Sequence, residues 1–398
     1  MRSILVIGGG IAGTEGALTL ARGLPHDRVT LLTHTDVLHL TPDLLYVPAG
    51  ISPSRIELPI RALVAEGHVD VAFGEVEHVD LECGIAVADT GEYPFDVLVA
   101  APGAAPDATD GLQMQTLAGA NLVRDRIDDL FVAALERDAR GSIVIRAAAD
   151  DTWSPPAYEL AMLIATHRRM AGLERLVSIT IVTAELGPFQ WFEPRVADIV
   201  TEHLAALGIE LATGVPESRF DDVRGDVVID FGRLAARHVP GLPGRDEHGW
   251  YRTDVHGRVH PKGFVLGDAA CHGYKSAFAV AWQARRMLVE LGGSLDVLGH
   301  EVDGVPIDAV EHHVELGTRT LRIRLPVAAN LQDPWLGHAS EVIVDDRPPR
   351  RLAGLLLGEI IQQVGGHGAA EAHRALVTRP GSQLRQAAPA SFASSHWQ

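Results

Sequence analysis

The chain has 398 residues, a net charge of −18 at pH 7, 46% hydrophobic residues and 22% charged residues. That is globular composition, long enough for two or three domains with cores of their own. So acidic a chain excludes a basic nucleic-acid stripe as its main theme, and anionic membranes repel it.

Ile4-Leu5-Val6-Ile7 is a continuous apolar run, as expected of a parallel strand buried on both faces. It meets Gly8 at once, which gives no sign of a secretory leader. Gly8-Gly9-Gly10-Ile11-Ala12-Gly13 fits G-x-G-x-x-G, Thr14–Arg22 reads as a helix, and Val29–Leu32 reads as the next strand. Glycines in this βαβ setting allow a tight turn and close approach of backbone to a pyrophosphate, which rests on the free N–H groups of the helix. The position that should carry an acid for the ribose hydroxyls holds Thr33, whose hydroxyl lacks the charge-assisted strength of a carboxylate. Asp36 is the nearest substitute.

Val69–Phe73, Val76–Asp80, Ile85–Ala88 and Val97–Val99 read as strands, with Cys83-Gly84 at a turn. A second βαβ unit starts near residue 115. Its elements are a strand at Ser142–Ile145, a helix at Ala157–Met170, a strand at Val177–Val182 and a helix at Arg195–Leu207 stopped by Gly208. After its first strand the chain reads Arg146-Ala147-Ala148-Ala149-Asp150-Asp151, with no glycine and with two carboxylates where a phosphate would rest. Like charges there disfavour NAD(P)H. Phe264–Leu266 is a further buried strand ending at Gly267-Asp268, followed by a helix from about Ser276 to Leu291. Strand alternation then returns at Leu321–Leu325, helical pattern follows, and residues 381–398 read as a loose tail. Leu352–Ile361 is too short to span a bilayer, so the reading is a soluble, cytoplasmic protein without an integral membrane segment. The histidines show no paired-ligand spacing, and no metal site is expected.

Two scarcities complete the pattern. The only lysines are Lys262 and Lys275, and the only cysteines are Cys83 and Cys271. Two thiols so far apart in the chain make neither a disulfide framework nor a four-thiolate metal site.

The order of motifs, Gly8-x-Gly10-x-x-Gly13, then Phe95–Gly103, then Gly263–Asp268, resembles the FAD-dependent pyridine nucleotide-disulfide oxidoreductase superfamily. Trp153–Met162 and Tyr274-Lys275-Ser276 are similar to the branch of sulfide:quinone oxidoreductase and the flavocytochrome c sulfide dehydrogenase flavoprotein. In the middle motif, Pro102 stands where that superfamily carries Thr. The resemblance implies an α/β fold of two Rossmann-like domains plus a smaller C-terminal α+β region. The FAD domain would be split between 1–112 and 241–304, with the second Rossmann domain at 113–240 and the C-terminal domain at 305–380.

It also implies FAD held at Gly8, Gly10, Gly13, Thr33, Val76, Ala101, Gly103, Gly267, Asp268 and Lys275. The helix opening at Ser276 would face the flavin pyrimidine edge, where its N-terminus and the Lys275 ammonium stabilise negative charge. The family's redox cysteine is missing: Trp153 takes its position, and no second cysteine stands near Cys271 in the sequence. The resemblance without its cysteines implies an FAD-dependent oxidoreductase acting on a small organic or quinone-like molecule. Lys275, Cys271, Trp153 and His272 are its reaction-side candidates, with Trp153 and the loop Gly187–Pro194 lining an aromatic cleft. A quinone, oxygen or a partner protein are the alternatives for the electron acceptor, and a homo-oligomer is left open. The competing readings are a flavin-binding or flavin-free scaffold or interaction protein with a decayed redox site and, behind it, an NAD(P)H-dependent flavin reductase.

Overall fold

A computed structural model describes residues 1–50, 56–106, 111–148, 154–190, 192–271, 275–295, 298, 309–326, 341–347 and 356–363. Strand Ser3–Ile7 is the centre of the first sheet. Its side chains alternate between two cores: Ile4 and Val6 join the helical side, while Leu5 and Ile7 join the opposite one. Both faces being covered explains why the run is apolar throughout rather than alternating. The sheet has six strands, in the order Arg258–His260, Gly263–Val265, Val97–Ala100, Ser3–Ile7, Arg28–Thr33 and Asp70–Phe73. All neighbours are parallel except the first pair.

Helix α1 (Ile11–Gly23) begins directly after Gly10, three residues earlier than the pattern suggested, because glycine itself is the N-cap. The short helix α2 (Ile60–Val64) follows on the same side. An antiparallel sheet of Val76–Asp80, Ile85–Ala88 and Gly91–Pro94 covers the other face. Cys83-Gly84 lies at its first turn, where Gly84 has φ +70° and Lys262 Nζ donates to the Glu82 carbonyl at 2.8 Å.

The chain leaves the first domain along Ala104–Pro106 and returns along Leu234–Ala236, and these two segments pair antiparallel. Between them lies an all-parallel five-stranded sheet, ordered Leu112–Gln113, Val227–Phe231, Gly141–Ala147, Val177–Thr183 and Glu210–Ala212. Helix α3 (Leu117–Arg137) was not anticipated, although Ala120, Val123, Ile127, Phe131 and Ala134 are buried along one helical stripe. The Thr116 hydroxyl caps it by accepting the Gly119 N–H. Helices α4 (Pro155–Met170) and α5 (Pro194–Ala206) sit as expected, and Gly208 ends the latter with φ +64°.

Helix α6 (Ala277–Glu290) rejoins the first domain and packs on α1. A three-stranded antiparallel sheet of Ala309–Glu315, Thr320–Pro326 and Glu341–Asp345 follows, then helix α7 (Leu356–Gln363) against α1. The proposed tail from residue 381 lies outside the described residues. Among the described residues no helix is long and apolar enough to cross a membrane.

Candidate functional site

Three backbone segments converge at the N-terminus of α1, and glycine makes each approach feasible. Gly8 has φ +109°, and a Cβ there would lie 2.2 Å from the Ala101 carbonyl oxygen. At Gly13 a Cβ would lie 1.8 Å from the Gly8 oxygen, and at Gly267 (φ +79°) 2.4 Å from Ala12 Cβ. Helix, strand ends and the late Gly267-Asp268 turn are thus in direct backbone contact.

Gly10 is the contrary case. It is exposed, and no heavy atom would meet a Cβ there within 4 Å. No side chain caps α1, and no acid stands in its first turn. The unpaired N–H groups of that turn therefore face open space, the arrangement that receives a phosphate. Gly103 (φ +72°) is similarly unobstructed, while Ala101 is buried beside it. The chain's donors and shape fit a dinucleotide pyrophosphate here.

Thr33 is 2% exposed, and its hydroxyl is engaged locally: it donates to the Thr35 carbonyl and accepts the Thr35 N–H. A Cβ on Gly9 would come within 2.3 Å of it. The hydroxyl suggested for ribose therefore closes its own turn. Val76 pairs through its backbone with Ala88.

Asp268 is open to the solvent side yet set deep in the protein mass, as a wall of a cleft would be; desolvation raises its pKa and the Lys275 charge opposes that rise. Among the described residues no hydrogen bond engages its carboxylate. The Lys275 ammonium itself donates to the carbonyls of Asp268 at 2.9 Å and Ala270 at 2.5 Å, and lies 3.9 Å from the Trp250 ring centroid. The ammonium expected beside the flavin is thus bonded to carbonyls of the Gly267–Ala270 turn and stacked on an aromatic face. Cys271 is exposed, and its N–H donates to the Tyr251 carbonyl. Trp153, Trp191 and His272 lie outside the described residues.

At the corresponding helix start in the second domain the described residues are turned inward. The cap residue of α4, Ser154, is fully buried, and the next two residues, Pro155 and Pro156, have no N–H to offer. Ser154 Oγ and the Tyr158 hydroxyl donate to the two oxygens of Glu185, at 2.9 and 2.6 Å. Glu185 is 0% exposed, and burial pushes its pKa up. Phe189, fully buried in left-handed backbone (φ +58°), packs its ring 5.3 Å from Tyr158. This end of the expected aromatic cleft is core packing. The sequence carries a signal for it: Glu185 stands two residues past Val177–Thr183, and its N–H donates to the Thr183 hydroxyl as the Thr35 N–H does to the Thr33 hydroxyl in the first unit.

Three further buried acids also escaped sequence reasoning, because buried carboxylates leave no periodic trace. Glu15 accepts the N–H groups of Leu356 and Leu357 at the start of α7, at 3.0 and 2.9 Å. Glu159 accepts the Glu315 N–H at 2.8 Å, and Glu315 accepts the Tyr46 hydroxyl at 3.1 Å. These bonds fasten the C-terminal region to both Rossmann domains. His312 and His313 are buried in the same region, with His312 stacked on Phe192. Among the described residues no cluster could hold a metal ion.

Over 97% of this chain and 94% of the other, the structure superposes on sulfide:quinone oxidoreductase from Aquifex aeolicus with a TM-score of 0.72 at 15% identity. The fold is that of sulfide:quinone oxidoreductase. A ferredoxin reductase from Rhodopseudomonas palustris is similar more distantly, with a TM-score of 0.60 at 18% identity over 83% of this chain and 84% of its own. In sequence, the chain is 23% identical over 198 residues to the sulfide-quinone reductase of Aquifex aeolicus (strain VF5), covering 47% of this chain and 45% of that protein. It is 24% identical over 229 residues to a type II NADH:quinone oxidoreductase of Staphylococcus epidermidis, covering 54% and 57%. The matched stretches thus span about half the length of these relatives. No family model matches. The resemblance read from the three motifs holds in both sequence and fold, and two Rossmann-like domains with a smaller C-terminal α+β region are present as expected.

Proposed function

We propose that this protein is an FAD-dependent oxidoreductase that moves two electrons between bound flavin and a small organic or quinone-like substrate, without a cysteine pair. One observation carries the reading: of its two dinucleotide cradles, the first is open at Gly10 and the second is closed by Ser154, Pro155, Pro156, Tyr158 and Glu185. An open cradle suits a resident cofactor. A closed one argues against NAD(P)H, even though one relative is named for NADH.

When bound, FAD supplies the redox centre. The N–H groups of the first turn of α1, at Gly10–Gly13, would hold its pyrophosphate, and the Asp268 carboxylate would accept hydroxyls of its sugar-alcohol chain. Helix α6, capped by the Ser276 hydroxyl accepting the Ala279 N–H, would turn its positive end toward the pyrimidine edge. Quinone relatives make a quinone the favoured acceptor, and Cys271 and His272 remain candidates on the substrate side.

The decisive experiment is anaerobic photoreduction of the purified protein followed by addition of quinones. Flavin absorption that bleaches in light, ignores NADH and NADPH, and returns with a quinone is the expected result. No flavin absorption and no FAD uptake by the apoprotein would leave the scaffold reading, which the self-satisfied Thr33 hydroxyl favours. Bleaching by NADH would restore the reductase reading.

A further inference from the structure

The turn Gly267–Ala269 is gripped on both of its backbone polarities by side chains that follow it in sequence. Gln283, 7% exposed on α6, accepts the Gly267 N–H with Oε1 at 2.7 Å. Lys275 donates to the carbonyls on either side of Ala269, those of Asp268 and Ala270. The remaining carbonyls of the segment are bonded by backbone: Gly267 to the Ala270 N–H and Ala269 to the Tyr251 N–H. Every main-chain acceptor from 267 to 270 thus has a donor, while the Asp268 carboxylate stays open and deep.

We propose that Lys275 and Gln283 are positioning residues, which hold this turn so that the Asp268 carboxylate meets the polyhydroxylated chain of a bound flavin nucleotide. The inference rests on the flavin reading above. The physical case is the number of partners each group has. A turn that starts from φ +79° at Gly267 has no regular ladder to fix it. Without Gln283 a buried N–H loses its acceptor; without Lys275 two carbonyls lose a charged donor. In either case the backbone at 268 gains freedom, and a carboxylate displaced by even 1 Å no longer meets a hydroxyl at hydrogen-bonding distance. Lys275 is thereby occupied in shaping the turn, its charge spread over two carbonyl oxygens and the Trp250 face.

The test is FAD affinity, read by fluorescence quenching on titration of the apoprotein, in wild type and in an Asp268→Asn background. Lys275→Met and Gln283→Leu should each weaken FAD binding about tenfold or more in wild type, and less than about threefold once Asp268 is already Asn, because both act through that carboxylate. Lys275→Arg, keeping charge and donors, should recover most of the Lys275→Met loss. Circular dichroism of the apoproteins identifies any variant that fails to fold; Gln283→Met, near-isosteric but without the amide oxygen that accepts the Gly267 N–H, replaces a Gln283→Leu that fails, and Lys275→Gln, neutral but polar, replaces such a Lys275→Met. An undiminished tenfold loss in the Asp268→Asn background overturns the proposal, as does Lys275→Met binding FAD like wild type. Wild-type apoprotein that takes up no FAD ends the flavin reading itself, a result distinct from either.

Discussion

Replacing Gly10 by Ala separates the cofactor's demands from those of the fold. The residue sits at φ −76°, ψ −176°, extended backbone that alanine adopts freely, and nothing in the protein lies within 4 Å of the new Cβ. Alanine is a poorer helix N-cap than glycine by about 0.5–1 kcal/mol, and loss of glycine's freedom in the unfolded chain returns about 0.4–1 kcal/mol. The apoprotein should therefore be unchanged in stability to within about 0.5 kcal/mol. The methyl group, however, enters the space above the first-turn N–H groups of α1. A pyrophosphate pushed off one such charge-assisted bond loses about 1.5–3 kcal/mol, which is roughly 10- to 150-fold in affinity. Chemical denaturation of the apoprotein and FAD titration measure the two quantities separately. Gly10→Ala that binds FAD as tightly as wild type would falsify the placement of phosphate at Gly10. Gly13→Ala is the contrasting control: its Cβ would sit 1.8 Å from the Gly8 oxygen, and it should fail to fold before any question of binding arises.

Arg168 is 3% exposed and donates to the carbonyls of Val177 and Leu207, so Arg168→Ala should cost about 2–4 kcal/mol by leaving both without their donor. A denaturant midpoint equal to wild type would contradict that. Glu185 has its pKa raised by burial, so the stability it permits is complete below the ordinary carboxylate pKa and is lost as pH rises through the folded-state value. Glu185→Gln should therefore flatten the fall of apoprotein stability with rising pH, by at most about 1.4 kcal/mol per pH unit for one proton; parallel curves for the two proteins would refute it. Glu15→Ala removes the acceptor for both N–H groups at the start of α7, and amide exchange at residues 356–363 should accelerate about tenfold or more. Unchanged protection there would mean that apolar packing of Leu356, Leu357 and Ile361 alone holds the helix.

The first cradle was legible because its signals are local. A strand, three spaced glycines and a helix lie within some twenty residues, and each residue type is demanded by backbone geometry that sequence spacing describes. The same holds for Gly267-Asp268 and for the stop at Gly208. The closed second cradle was legible only in half: Asp150 and Asp151 drew notice, whereas Glu185, some thirty residues beyond Ser154, makes sense only once the sheet sets the two side by side. Lys275 was legible as a rare charge, and its partners were not. Its rarity and place beside α6 suggest a charge at the flavin, whereas the acceptors that its long flexible side chain takes, two carbonyls of the preceding turn, follow only from the folded backbone.

By itself, then, the amino-acid sequence determined the alternation of strands and helices, the glycine cradle and the scarcity of cysteine, because these depend on residue type and short spacing. Tertiary structure decided which carboxylates are buried and what they hold: Glu15 on α7, Glu159 on the C-terminal sheet, Glu185 in the second cradle. A buried charge needs partners, and its partners here come from segments as many as 342 residues away. No periodicity along the chain records contacts of that range.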